Sequence, residues 1–196
     1  MDATPLPGAS ANVPWLQFQP GTGLGWTDGT ELDVDLTFLV GADYTIFAVI
    51  SRFGDTSPSG NYFLGTGSVT QSLNYGALHL GYYDDTDFRF SEFGNDIDAS
   101  VPSNLPGQWQ LALVTGEFSK TGGHTLYLGG NLVGSNPDQT AMQSALQGAV
   151  GRGFLATAGS TQYQGGIGEI LIFTEALSST DRAAVENYLR TKWRLP

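Results

Sequence analysis

Apolar and polar positions alternate along most of this chain, and glycine, proline, asparagine or aspartate breaks the alternation roughly every 8 to 14 residues. That pattern predicts short strands joined by tight turns. Residues 15–19 (WLQFQ) read as a first strand, ended by the turn residues of 20–25. Residues 31–38 (ELDVDLTF) alternate strictly, with Leu32, Val34, Leu36 and Phe38 inward and the acids outward. Residues 43–53 hold a nearly continuous apolar run from Tyr44 to Ile50, which marks a core strand. The sheet resumes at residues 62–65. Residues 77–83 and 86–93 form a hairpin turned at Asp84 and Asp85, with Phe88 and Phe90 on one face. Residues 108–118 and 125–133 form another, turned at residues 120–123, and residues 139–147 predict one helical turn. Many short strands in succession select a two-layer sandwich over a barrel or an α/β fold.

The period changes near the C-terminal end. Ile167, Glu169, Leu171 and Phe173 point one way and Gly168, Ile170, Ile172 and Thr174 the other, so this strand is apolar on both faces and belongs in the middle of a sheet. Ser178 then stands three residues before Asp181, a capping-box variant that starts a helix. Val185, Tyr188, Leu189 and Trp193 repeat at helical spacing, giving an amphipathic helix of about four turns.

Composition narrows the function. A chain of 196 residues suits one all-β domain, over residues 15–196, behind an arm or linker at 1–14. A domain of this size buries roughly 70% of its unfolded surface, so it is stable without staples. There is no cysteine. The net charge of −11, with only eight Lys and Arg, excludes a phosphate-tracking patch and an anionic membrane surface as partners. No run approaches the ~20 apolar residues of a membrane span. Residues 1–5 have neither the basic nor the apolar part of a signal peptide. An extracellular, cell-surface or virion-surface location would then be reached either with a signal already removed or by another route.

The order GxIxEIxIFxxALSxxxRxxVExYLxxKW over residues 165–193 resembles the end of the bacterial LamG-like domains of the concanavalin A-like lectin/glucanase jelly-roll family. Residues 43–50 (DYTIFAVI) look like that family's early core strand, and residues 76–98 look like its middle hairpin. Residues 108–115 and 124–134 look like its last hairpin, ahead of AVGRG at 149–153. The turn Gly129-Gly130-Asn131 departs from the family's usual Asn-Gly and leaves that hairpin's register open. The resemblance implies an antiparallel β-sandwich with a C-terminal α-helix and, most often, glycan binding.

Candidate chemistry falls into three sets. Sugar sites set aromatic faces among polar side chains, and Trp26, Tyr62, Tyr82, Tyr83 and Tyr163 lie where one ring face can be exposed, with Arg52, Asp55 and Asn61 nearby. Calcium takes six to eight oxygens; its candidate ligands are Asp84, Asp85 and Asp87 on one turn and Asn95, Asp96 and Asp98 on the next. The pattern E-L-D-V-D at 31–35 is similar to the catalytic strand of laminarinase-like β-glucanases, with Glu31 at the nucleophile position and Asp35 at the acid/base position. Retaining glycosidases hold two carboxylates ~5.5 Å apart, whereas residues four apart on a strand are separated by about 13 Å at Cα, and Asp35 is one methylene short. His79 and His124 lack a second ligand at zinc spacing, and Gly151-Arg152-Gly153 reads as a turn. Trp15, Trp109 and Trp193 read as core.

Two functions therefore share the fold. One is a non-catalytic, lectin-like glycan-binding module. The other is a structural or adhesive surface protein, such as a virion decoration or tail-fibre component, docked on a partner protein. A glycosidase is a distant third. The first demands exposed aromatics on a concave sheet face or rim, the second an apolar patch of several hundred Å² or an ordered N-terminal arm.

Overall fold

The computed structural model describes residues 16–18, 31–52, 60–67, 74–101, 111–153 and 162–196. The strands are β1 (Leu16–Phe18), β2 (Leu32–Asp33), β3 (Tyr44–Arg52), β4 (Asn61–Gly65), β5 (His79–Tyr82) and β6 (Asp87–Ser91), then β7 (Ile97–Ser100), β8 (Ala112–Ser119), β9 (Gly123–Leu128), β10 (Asn131–Asn136), β11 (Ala149–Val150) and β12 (Gly165–Phe173). The helix α1 (Ser179–Trp193) follows. Sheet A has the order β1-β12-β3-β8-β9-β10 and sheet B the order β2-β11-β4-β5-β6-β7. All the pairings are antiparallel.

β3 shows why a strand can lack a polar face. It lies between β12 and β8, and all nine of its residues are buried. Tyr44, Ile46, Ala48 and Ile50 point into the core between the sheets, with Phe63, Leu80, Phe88 and Phe90 of sheet B. Phe47 and Val49 point the other way, onto Leu113, Leu189 and Trp193. The helix thus covers the outer face of sheet A, as the two-sided apolar pattern of 165–174 requires.

Local chemistry fixes that helix. The Ser178 hydroxyl accepts from the Asp181 N–H at 3.2 Å and donates to Asp181 Oδ2 at 2.6 Å. Trp193 is 1% exposed, and its Nε1 donates to Glu169 Oε2 at 2.9 Å. Pairing of β12 with β3 shifts register between Ile167 and Glu169. At that bulge a Cβ on Gly168 would come within 2.7 Å of Trp193 Cη2. The glycine makes the seat for the indole.

Four expectations are corrected. Residues 31–38 are not one strand: β2 covers only Leu32–Asp33, because Asp35 Oδ1 accepts from the Thr37 N–H at 2.9 Å and starts a 3-10 turn over Thr37–Leu39. That turn puts Leu39 inside and leaves Phe38 exposed. Residues 125–133 split at Gly129 and Gly130, both at positive φ, into β9 and the edge strand β10. Residues 139–147 form no helical turn. Tyr188, expected on the buried face of α1, is 48% exposed and lies over Glu169 and Lys192 instead.

A buried polar cluster ties the sheets together. Glu92, fully enclosed, accepts from the Tyr44 hydroxyl at 2.6 Å and from Asn95 Nδ2 at 3.1 Å, with His124 Nε2 3.4 Å away. Tyr44 and His124 belong to sheet A, whereas Glu92 and Asn95 belong to the β6–β7 turn of sheet B. Burial, then the charge and hydrogen bond of Glu92, push the Tyr44 hydroxyl well above its ordinary pKa. Such a carboxylate is tolerable inside a protein only with this set of partners.

His79 is enclosed as well, with Nδ1 2.8 Å from the Ala77 carbonyl and its ring 5.0 Å from that of Tyr62. Burial lowers its pKa from 6.5 to about 4.

Two stability outcomes follow from this packing. Trp193→Ala empties the indole's seat and is expected to cost about 3–5 kcal/mol in equilibrium urea unfolding; a cost below about 1 kcal/mol would mean that α1 is not docked as described. The unfolded chain protonates His79 near pH 6.5 while the fold resists it, so stability present above that pH is lost on acidification towards pH 4. Between pH 7.5 and 5 the loss from this group is about 2 kcal/mol. His79→Gln is expected to flatten that part of the pH–stability profile, and an unchanged slope in the variant would assign the loss elsewhere.

Candidate glycan-binding face

With α1 on sheet A, the candidate surface is the outer face of sheet B, and on it the β6–β7 side, because the outward-pointing Tyr62, His79 and Ser91 are buried. Period-two geometry decides what it carries. Phe88 and Phe90 of β6 enter the core, so Asp87, Arg89 and Ser91 face outward. Ile97 and Ala99 of β7 enter the core, so Asp98 and Ser100 face outward. Leu80 and Tyr82 of β5 enter the core, leaving His79 and Gly81 outward and Tyr83 next in line. Strand register places Tyr62, Gly81, Arg89 and Asp98 in one row across four strands.

Arg89 is the centre of this face. Its Nε donates to Asp98 Oδ1 at 2.6 Å and its Nη2 to Asp98 Oδ2 at 2.7 Å, a two-pronged pair between neighbouring strands. Its Nη1 lies 3.4 Å from Asp96 Oδ2, and the guanidinium sits 3.7 Å from the centroid of the Tyr83 ring. Burial opposes the charge of Arg89, but the hydrogen bonds and charge of Asp98 outweigh it and hold the group protonated above its usual range. Asp96 behaves alike: burial disfavours its ionisation, and the Ser91 hydroxyl, the Gly94 N–H and Arg89 together keep its pKa below the ordinary value. Tyr83 is 43% exposed and offers a ring beside these polar groups.

The residues expected to bind a sugar divide accordingly. Tyr83 has the expected exposed face. Tyr62, Tyr82, Tyr163, Arg52 and Asn61 are buried, and the expectation of an open ring face or free polar group is corrected for each. Tyr82 has the same strand parity as Leu80 and therefore points inward. Arg52 stacks on Tyr82 at 4.4 Å and donates to the Asp84 and Asp85 carbonyls, anchoring the β5–β6 turn. Asn61 Oδ1 accepts from the Gln164 N–H at 2.8 Å, and the Tyr163 hydroxyl donates to the Ser51 carbonyl at 2.9 Å. Trp26 and Asp55, and with them Trp15 and Trp109, lie outside the described residues. Arg89 was missed by the reading of the sequence. Its signal was the triplet Phe88-Arg89-Phe90, in which two core aromatics force the residue between them outward.

The expected calcium ligands are not gathered around one point. Asp84, Asp85 and Asp87 stand at the start of β6, and Asn95 and Asp96 beyond its end. Five strand residues separate the two turns by about 17 Å, too far to share an ion. Asp84 Oδ1 accepts from the Thr86 and Asp87 N–H groups at 2.8 Å each, Asn95 turns inward to Glu92, and Asp96 and Asp98 hold Arg89. Among the described residues no group of three or more His, Asp or Glu is placed to hold a metal.

The proposed glucanase pair is likewise engaged. Glu31 Oε2 lies 2.9 Å from Arg152 Nε. Hydrogen bonds from the Thr37 side chain and backbone hold the Asp35 carboxyl below its ordinary pKa, the reverse of what a general acid needs.

Comparison with known proteins agrees with this architecture. No curated protein matches the chain in sequence. In structure it is similar to the CBM40 module of the Ruminococcus gnavus IT-sialidase, solved bound to alpha2,6 sialyllactose, with a TM-score of 0.62 and 16% identity over 88% of this chain and 96% of that one. It is also similar to a botulinum neurotoxin type C structure concerned with two ganglioside molecules, at a TM-score of 0.58 and 13% identity over 92% of this chain and 48% of that one. The NanB sialidase of Streptococcus pneumoniae gives 0.58 and 18%, over 79% of this chain and 26% of that one. These likenesses are of fold. The family described as the concanavalin A-like lectin/glucanases superfamily matches residues 25–181, most of the chain, and to that superfamily this protein belongs.

Proposed function

We propose that this domain is a non-catalytic glycan-binding module that takes a sugar on the outer face of sheet B. The observation that carries the reading is the exposed ring of Tyr83 held beside Arg89, Asp96 and Asp98 on a sheet face that no helix among the described residues covers. A pyranose needs an apolar platform for its C–H face and donors and acceptors for its hydroxyls, and this group of side chains supplies both. The neighbours in fold include a module solved with sialyllactose and a neurotoxin whose cell entry depends on interaction with two ganglioside molecules, which supports carbohydrate recognition as the kind of function. No helix of the described residues is long and apolar enough to cross a membrane. A glycan ligand fits a domain displayed at a cell or virion surface.

One observation favours the structural or adhesive reading as the alternative. β10 pairs only with β9 among the described residues, and its Leu132 is 60% exposed. An open apolar edge is a surface on which another protein chain can add.

A glycan array probed with the purified chain, in calcium and then in chelator, separates these readings. Binding is expected, with Tyr83→Ala weakening it tenfold or more, about 1.4 kcal/mol. Signal lost in chelator would add a calcium requirement. A blank array from folded protein in both conditions would end the glycan reading and favour docking through β10.

A further inference from the structure

All eight Lys and Arg of the chain lie within the described residues, so every side-chain cation can be placed. Arg52 is buried under the β5–β6 turn with Asp85. Lys120 pairs with Asp43, and Arg152 with Glu31. Arg182 lies between Glu117 and Glu186, over the Tyr127 ring. Arg190 donates to the Gly129 and Pro196 carbonyls, Lys192 pairs with Glu169, and Arg194 caps α1. These last four belong to the helix side of the sandwich. Arg89 is therefore the cation of the β6–β7 part of sheet B's outer face; Asp98 fills its Nε/Nη2 fork, and Asp96 Oδ2 lies 3.4 Å from Nη1.

An anionic sugar would compete with these carboxylates for the guanidinium. Carboxylates and sulfates are recognised by a guanidinium that presents two parallel N–H groups; here Asp98 has taken the Nε/Nη2 pair, and the carboxylate of Asp96 stands beside Nη1 of the other edge. The Arg89 site carries one positive charge against the carboxylates of Asp96 and Asp98, with Asp87 further along the same face, so an incoming anion meets net negative charge. Uncharged hydroxyls meet the opposite situation. The side chains of Asp96 and Asp98 remain 39% and 41% exposed, and their free lone pairs accept from sugar O–H groups.

We infer that this face selects uncharged glycans over sialylated or sulfated ones, and that Asp98 is the specificity-determining residue because it occupies the fork of Arg89. The inference rests on the glycan-binding reading above. It sets this chain apart in ligand class from the neighbours solved with sialyllactose, whose fold it shares.

The test is an array of matched pairs, each glycan present in neutral and in sialylated or sulfated form, probed with wild type, Asp98→Asn, and Asp98→Asn combined with Arg89→Gln. Thermal melts establish that each is folded. Wild-type signal is expected on the neutral members. Asp98→Asn frees the fork and is expected to gain tenfold or more on the anionic members, a gain removed by Arg89→Gln and weakened by 0.5 M salt. Wild-type binding to anionic members as strong as to their neutral partners would overturn the inference and leave the glycan reading standing, and this arm needs no variant to fold. A folded Asp98→Asn protein with no anionic gain would remove Asp98 from the selecting role. A blank array for folded wild type and variants alike would overturn the glycan reading itself, and this inference with it.

Discussion

The two-sided burial of β3 is the constraint on which the rest of this molecule depends. A strand with Tyr44, Ile46, Ala48 and Ile50 on one face and Phe47 and Val49 on the other cannot end a sandwich; something apolar must lie on each side. Sheet B supplies one cover and α1 the other. Burial of this kind is worth roughly 25 cal/mol per Å² of apolar surface, so the helix is a structural layer and not an appendage. The division of labour between the sheets follows: one outer face is consumed by stability, and the other is left to carry polar chemistry.

That remaining face is built on strands, which is why its geometry is specific. Arg89 and Asp98 are registered opposite each other by the β6–β7 ladder, and the pair is set before any ligand arrives. Behind it, the Glu92 cluster pins the β6–β7 turn to Tyr44 and His124 of the other sheet. A site held in this way loses little freedom on binding, which leaves more of the contact energy for affinity.

Much of this was legible in the sequence, and what was not had physical reasons. The terminal strand and helix could be read from the two-sided apolar run and from Ser178 and Asp181. The bulge at Gly168 was not read, and it puts Ile167 on the core face with Ile170 and Ile172, where strict alternation set it beside Leu171 and Phe173. Chain parity also held enough information to find Arg89 between two core phenylalanines, and to send Tyr82 inward and Tyr83 outward, had it been carried through residue by residue. The stretch at 31–38 misled because a period-two pattern does not reveal that Asp35 bonds its own backbone two residues on and ends the strand. The acidic turns misled for a related reason: aspartates that stop strands look, in one dimension, like a ligand set, and only the length of β6 shows them to be apart.

The matching of nearly every cation to an internal partner gives the molecule a further character, in how it meets other surfaces. With a net charge of −11, its field repels other polyanions beyond the range of any contact, and that field is stronger in dilute salt. Encounters with a sialic-acid-rich cell coat are slowed at low ionic strength and quicken as salt screens them, the reverse of a nucleic-acid-binding protein. Copies of the domain crowded on one surface stand apart for the same reason. The ion pairs cancel locally, so the surplus of carboxylates, 19 against eight Lys and Arg, governs the rate at which the domain meets a charged surface.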